Sequence, residues 1–375
     1  MSTRAELHIP SLDGIRGLAA LTVFVSHAGL PNLVPGGFGV TVFFFLSGYL
    51  ITTLLRTEYE RTESISFSRF YLRRVYRILP PMYIVLSASV LLASAGLVSQ
   101  QMTFAGVLAQ FAHFTNYYFI FGDQRHFAPS TSTMWSLAVE EHFYLLFPLA
   151  IALLFRRFEL PRIAALLAVV CCAVLAWRCW LVLGLGWGHK YTYYATDTRL
   201  DSLLYGCIMG VWLNPVLDRA RIRFGQRTAV ALCITGFALL LVSFLYRSNV
   251  FRETLRYSLQ GIALFPLFFC AVRYNHWPIF KWLETRPMRA LGLISYTFYL
   301  VHLLCLSLLG AHTDFNKPTR AVLGFVATVA VSSAMYYFVE RHLGALRRKL
   351  HSGPTKVQSR SDHTAGQPAL DADTR

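Results

Sequence analysis

IAALLAVVCCAVLAWRCWLVL, residues Ile163–Leu183, runs for 21 residues with a single charge, Arg178. As a helix rising 1.5 Å per residue it is about 31 Å long, close to the thickness of a bilayer's hydrocarbon core. Runs of this kind recur on both sides of it. Reading outward gives ten spans: Leu12–Leu30, Gly37–Leu55, Pro80–Val98, Met134–Phe155, Ile163–Leu183, Leu200–Leu213, Ala229–Tyr246, Leu255–Val272, Ala290–Gly310 and Ala321–Glu340. Lipid cannot satisfy backbone polar groups, so each run has to be a helix. The predicted fold class is an all-α polytopic membrane helix bundle over residues 1–350. The sixth span is short and ends at Asn214-Pro215.

Composition agrees. Hydrophobic residues make up 55% and charged residues 14% of the 375, against about 25% charged in soluble domains. The net charge of +16 does not point to nucleic acid, because the basic residues sit in short loops where they orient a membrane protein. Arg56–Arg77 holds six arginines, and Arg156, Arg157 and Arg162 follow the fourth span. Arg219, Arg221, Arg223 and Arg227 follow the sixth, then Arg273, Lys281, Arg286 and Arg289, and finally Arg341, Arg347, Arg348 and Lys349. The alternate loops are poorer in Lys and Arg, which predicts both termini in the cytoplasm and a multi-pass protein of the inner (plasma) membrane. The first run lacks a small-x-small cleavage site and is expected to stay as a span. The polar tail 351–375 is expected to be disordered and cytoplasmic. Seven cysteines lie in or beside apolar runs without a CxxC pair, so free thiols and no metal site are expected.

Ionisable side chains inside spans are costly, and each is a candidate site. Arg16 and His27 share the first span. Eleven residues at 100° each bring them within about 20° of one face and about 16 Å apart along it. Asp13, one turn before Arg16, is the structural alternative partner. Arg73, Arg74 and Arg77 open the third span, where they can anchor it or meet phosphates. TMWSLAVEEHFYLLFP (Thr133–Pro148) carries Glu140, Glu141 and His142 in succession, with Glu140 and Tyr144 one turn apart. Asp197, Arg199 and Asp201 begin the sixth span, and Ser295, Tyr299 and His302 form a polar stripe on the ninth. Ser47-Gly48 reads most simply as a close-packing pair.

Six of these stretches together resemble the membrane-bound acyltransferase-3 family of bacterial O-acyltransferases. They are LDGIRGLAALTVFVSH (Leu12–His27), FFFLSGYLIT (Phe43–Thr52), FYLRRVYRILP (Phe70–Pro80), WSLAVEEHFY (Trp135–Tyr144), TRLDSLLYG (Thr198–Gly206) and SYTFYLVH (Ser295–His302). The resemblance implies transfer of an acyl group, usually acetyl, from acyl-CoA to a hydroxyl of a cell-surface carbohydrate such as O-antigen or exopolysaccharide. Related members act on macrolides. Some members carry an added esterase-like domain after the bundle, which this chain is expected to lack. Tyr49, Ala138 and His142 depart from the residues usual in the family.

An imidazole titrates near neutral pH and suits a general base. His27 is therefore expected to take the hydroxyl proton, with Glu140 or Glu141 orienting it. Arg16, Arg73, Arg74 and Arg77 are expected to hold the acyl-CoA donor. Trp135, Tyr144, Asp197, Arg199, Asp201, Tyr299 and His302 are expected to bind the acceptor. The partners implied are acyl-CoA as co-substrate, a carbohydrate and the bilayer, with no bound cofactor and no nucleic acid. The alternative is a transporter that uses the same His, Glu and Arg set as a proton or substrate relay.

Overall fold

The computed structural model describes residues 9–29, 35–98, 100–222 and 225–349. The tail expected to be disordered lies outside the described residues. Three long helices come first: α1 (Pro10–His27), α2 (Gly36–Thr62) and α3 (Phe67–Ser94). Two short ones, α4 (Phe104–Phe111) and α5 (Thr115–Phe121), fill the connection to α6 (Trp135–Arg157). After α7 (Leu160–Cys179), the short α8 (His189–Tyr194) leads into α9 (Thr196–Val211). Then come α10 (Gln226–Leu245), α11 (Asn249–Glu253), α12 (Leu255–Arg273) and α13 (Pro278–Lys281). The chain ends in α14 (Arg286–His312), α15 (Lys317–Met335) and α16 (Arg341–Lys349). No strand occurs among the described residues. The protein is an all-α, multi-pass membrane bundle.

Among the described residues, eight helices are long and apolar enough to cross a membrane. The other two expected spans are α1 and α9, which have 18 and 16 residues and carry Asp13 and Arg16, or Asp197, Arg199 and Asp201. Both are central. α1 packs along α2 and α14, and α9 packs along α2, α7 and α12. A helix wrapped by other helices does not meet lipid, so it can be short and charged. The rim is the opposite case. Val169 on α7, Ile234 on α10 and Val322 on α15 are each about 65% exposed, as lipid-facing side chains should be.

Small residues let the central helices touch. A Cβ on Gly48 of α2 would lie 2.0 Å from the Leu203 carbonyl oxygen, and one on Gly206 of α9 would lie 1.9 Å from that of Phe45. Without a hydrophobic drive inside lipid, such close backbone approach is what packs helices. Polar clamps hold the same pair at its end. Arg56 donates to both Asp218 oxygens at 2.6 and 2.8 Å and to the Val211 carbonyl at 2.8 Å. Asn214 accepts from the Val216 and Leu217 backbone N–H groups and donates to Thr53, which explains the stop at Asn214-Pro215.

One boundary differs from the sequence reading. The third span does not begin at Pro80: α3 starts at Phe67 and keeps Pro80 and Pro81 inside it. Proline removes one backbone donor, and in a bundle the neighbouring helices compensate. The prolines leave the Tyr76 and Arg77 carbonyls without their helical donors, and one residue on, the Tyr296 hydroxyl donates to the Ile78 carbonyl at 2.7 Å and ties this turn to α14. The consequence is functional, because Arg74 and Arg77 stand on a helix within the bundle rather than in a loop before it.

Candidate active site

Between α1, α2, α3, α6 and α14 lies a cavity of about 80 Å³. Its charged lining is Arg16, Arg74, Arg77 and Glu140. Three guanidiniums against one carboxylate make an interior that favours an anion. Arg16 lies 3.7 Å from Asp13, so the structural partner and the cavity share this residue. Arg74 sits over the rings of Tyr144 and Phe70, 5.4 and 5.7 Å from their centroids. Arg73 points elsewhere and pairs with Glu58 at 3.5 Å, as expected of three arginines within five positions of one helix.

Glu140 is fixed from two sides. Ser47 donates to its Oε1 at 3.2 Å and Tyr144 to its Oε2 at 2.7 Å. Ser136, Glu140 and Tyr144 stand one turn apart on α6 and all line the cavity. Above them, Tyr299 exchanges a hydrogen bond with Ser136 at 2.8 Å and donates to the Thr133 carbonyl at 3.1 Å. Glu141, the next residue, does not line the cavity, and its Oε1 is buried without a hydrogen-bond partner among the described residues.

His27 ends α1 and is exposed, about 16 Å along the axis from Arg16. Its Nδ1 lies 3.0 Å from Nε2 of His302, and the two rings stack with centroids 5.1 Å apart. The tautomers follow from one further contact. His302 Nδ1 is 2.6 Å from the Tyr299 carbonyl, which can only accept. His302 therefore carries its proton on Nδ1, and in its neutral form it accepts at Nε2. His27 must then donate from Nδ1, leaving its Nε2 with a free lone pair. A backbone carbonyl cannot relay a proton, so His302 positions His27 and does not conduct. His302 is 1% exposed and Tyr299 packs against it, 5.7 Å between centroids. The cavity thus reaches Tyr299, and behind Tyr299 stand His302 and His27.

A family model described as an acyltransferase domain matches residues 9–337, nearly every described residue. The chain belongs to the acyltransferase-3 family. Among curated relatives, the peptidoglycan O-acetyltransferase OatA of Listeria monocytogenes is 30% identical over 89% of this chain and 55% of its own length. The O-acetyltransferase OatA of Staphylococcus aureus is 31% identical over 79% of this chain and 50% of its own length. The putative peptidoglycan O-acetyltransferase YrhL of Bacillus subtilis is 29% identical, over 90% and 55%. The chain spans about half the length of the curated relatives it matches. No solved structure matches it.

Within this acyltransferase-3 bundle several expected roles change. Neither Glu140 nor Glu141 bonds to His27; its partner is His302. Asp201, expected at the acceptor, is fully buried in an ion pair with Arg178 at 2.8 Å and accepts from Ser258 at 2.7 Å. Arg199 is equally buried, 4.1 Å over the Tyr257 ring and bonded to Thr41 at 2.9 Å. Both are buried, and neither lines the cavity. Trp135 is a packing residue between Phe44, Tyr193 and Tyr194. Asp197 accepts from Trp177 at 2.7 Å and Tyr191 at 3.2 Å at the His27 end of the bundle. Ser136 was missed by sequence reasoning, although its spacing of one turn before Glu140 was there to find. Ser47 was read as packing and also holds Glu140.

Proposed function

We propose that this acyltransferase-3 chain is an O-acetyltransferase of the plasma membrane that moves an acetyl group from acetyl-CoA to a hydroxyl of a cell-surface glycan of the peptidoglycan type. The observation that carries the reading is the division of labour along α1. One end of its face supplies Arg16 to an interior cavity shared with Arg74, Arg77 and Glu140. The other end supplies His27 with a lone pair directed away from His302.

The chemistry assigns itself to these two ends. Planar guanidiniums suit phosphate, so Arg74 and Arg77 meet the donor's phosphates from the arginine-rich side and Arg16 guides its slender arm. A cavity of about 80 Å³ is far below the roughly 300–1,000 Å³ of an ordinary small-molecule pocket. Its arginines suit the donor and the exposed His27 suits the acceptor, so donor and acceptor approach from opposite ends. At the meeting point the hydroxyl oxygen attacks the thioester carbonyl while His27 Nε2 takes the hydroxyl proton. The carbon–sulfur bond breaks, and the CoA thiolate leaves and is protonated in turn. His302 accepts from His27 Nδ1 throughout and stabilises the imidazolium. Tyr299 lines the top of the cavity and has to yield for the thioester to reach His27. Glu140, held by Ser47 and Tyr144, offsets one of the three cationic charges when the site is empty.

The test is purified protein in sealed vesicles with radiolabelled acetyl-CoA and a peptidoglycan fragment. The proposal predicts free CoA and a labelled, alkali-sensitive ester on the glycan. Uptake of label into vesicles without release of CoA would instead support the transporter.

A further inference from the structure

Outside the spans, α5, the turn that follows it, and α8 enclose an outward-facing cleft of about 610 Å³. Its walls are Phe119, Asp123, Gln124, His189, Lys190 and Tyr194. We propose that this cleft binds the glycan chain and delivers it to His27. The proposal rests on the glycan-acetylation reading above and adds a site to it.

The chemistry of the walls is that of saccharide recognition. A sugar presents an apolar C–H face and a rim of hydroxyls, so it needs an aromatic ring and idle hydrogen-bonding groups side by side. Tyr194 offers a ring already braced on Phe119, with centroids 4.1 Å apart, and on Trp135 at 4.9 Å. Gln124 is exposed, and its side-chain amide makes no hydrogen bond among the described residues. Lys190 has only the Gly122 carbonyl, at 3.5 Å, leaving donors for a hydroxyl or a carboxylate. His189 uses Nδ1 on Glu253 at 3.1 Å, which leaves Nε2 open.

These groups are held in place. Asp123 is locked to Arg125 at 2.6 Å, and that guanidinium holds its carboxyl down at about 2. Asp123 also accepts from the Arg125 backbone N–H at 2.9 Å and so caps the turn that presents Gln124. Glu253, besides His189, accepts from Thr192. A cleft whose ring is braced beforehand and whose turn is capped loses little on binding. Its size falls within the roughly 300–1,000 Å³ usual for a small-molecule site.

The cleft also lies beside the catalytic end. His189 stacks on Tyr193 with centroids 4.8 Å apart, and a Cβ on Gly37 would lie 2.8 Å from the Tyr193 hydroxyl oxygen. The adjoining Gly36 abuts Ser26, the residue before His27. A chain of sugar units seated in the cleft can therefore run across the Tyr193–Gly37 contact and present a hydroxyl at His27. A single sugar would fill only one end of that path.

The experiment is a saturation-transfer NMR titration of N-acetylchitotetraose against the full chain in nanodiscs, for wild type and Lys190→Ala/Gln124→Ala. Both side chains are exposed, so the variant keeps its fold. Losing one or two hydrogen bonds weakens binding roughly 5- to 30-fold, and the acceptor KM in acetyl transfer rises by the same factor. If the wild type fails to bind the oligosaccharide, or the double variant binds as tightly as the wild type, the cleft is not a glycan site. Weakened binding in the variant with no acetyl transfer by the wild type would keep the cleft and overturn the transferase reading. Acetyl transfer with an unchanged acceptor KM in the variant would do the reverse.

Discussion

Replacing His302 tests the tautomer argument most sharply. Its Nε2 stands 3.0 Å from His27 Nδ1 and its Nδ1 stands 2.6 Å from the Tyr299 carbonyl. His302→Phe keeps a ring in the stack and removes the acceptor. The neutral hydrogen bond in the resting protein is worth about 0.5–1.5 kcal/mol, and the charge-assisted one to an imidazolium about 1.5–3 kcal/mol. The difference, about 1–1.5 kcal/mol, is stabilisation present only in the transition state, so it lowers kcat roughly 5- to 10-fold. Loss of the acceptor also frees His27 to place its proton on Nε2, where it cannot act as a base. Together these effects predict a fall in kcat of roughly 10- to 100-fold, with the KM for acetyl-CoA unchanged. His302→Gln puts an amide oxygen near the lost Nε2 and should recover most of the rate. In a His27→Ala background, His302→Phe should add nothing, since the two act as a unit. The assay is steady-state transfer from labelled acetyl-CoA with purified, monodisperse protein. If His302→Phe folds and keeps kcat within about twofold, the pairing has no catalytic role.

Other consequences are independent of that pair. Arg178→Met strands the buried Asp201 carboxylate and should cost about 3–5 kcal/mol, read as a large drop in melting temperature that Arg178→Met/Asp201→Met partly restores. If Arg74 and Arg77 hold the donor phosphates as proposed, Arg74→Gln and Arg77→Gln should each raise the KM for acetyl-CoA roughly 10- to 100-fold, with kcat much less affected. Gly206→Val drives a side chain into the Phe45 carbonyl and should prevent α2 and α9 from meeting, so no monodisperse protein is recovered on gel filtration. His113, between α4 and α5, is held down to about 4 by burial and by the nearby His142. Its folded value lies below the ordinary value of about 6.5, so the unfolded chain takes up the proton first. Its contribution is complete above about pH 6.5 and is lost as pH falls from there toward 4; melting curves across that range should show the decline, and His113→Phe should flatten it.

The bundle was legible because hydrocarbon imposes a length and an apolar composition that any ordered run such as Ile163–Leu183 displays. Part of the site was legible for the same reason: Arg16, Glu140 and Tyr144 stand out against apolar neighbours, and helical spacing sets them on faces. What the sequence cannot carry is the meeting of faces. His27 and His302 are 275 residues apart, and no local pattern relates them. Glutamate reads as the natural partner for His27 because carboxylates inside a span need one, yet α6 turns Glu140 toward Ser47 of α2. Asp201 and Arg199 look like site residues by the rule that charges in spans have a function. Their neighbours, Arg178 and Ser258 in one case and Tyr257 in the other, turn them into supports. The start of α3 was misplaced because Pro80-Pro81 signals a boundary in a lone helix, whereas in a bundle the neighbouring helices hold such a turn, as Tyr296 of α14 does at Ile78.

Single-turnover transfer in nanodiscs, with labelled acetyl-CoA and a saturating glycan fragment, separates donor binding from the chemical step. Two catalytic ends on one helix predict that His27→Ala slows the chemical step roughly 10²–10⁴-fold with donor affinity intact, and that Arg16→Ala weakens donor binding with His27 still competent. A His27→Ala protein that transfers at the wild-type rate, or an Arg16→Ala protein with unaltered donor affinity, contradicts the account.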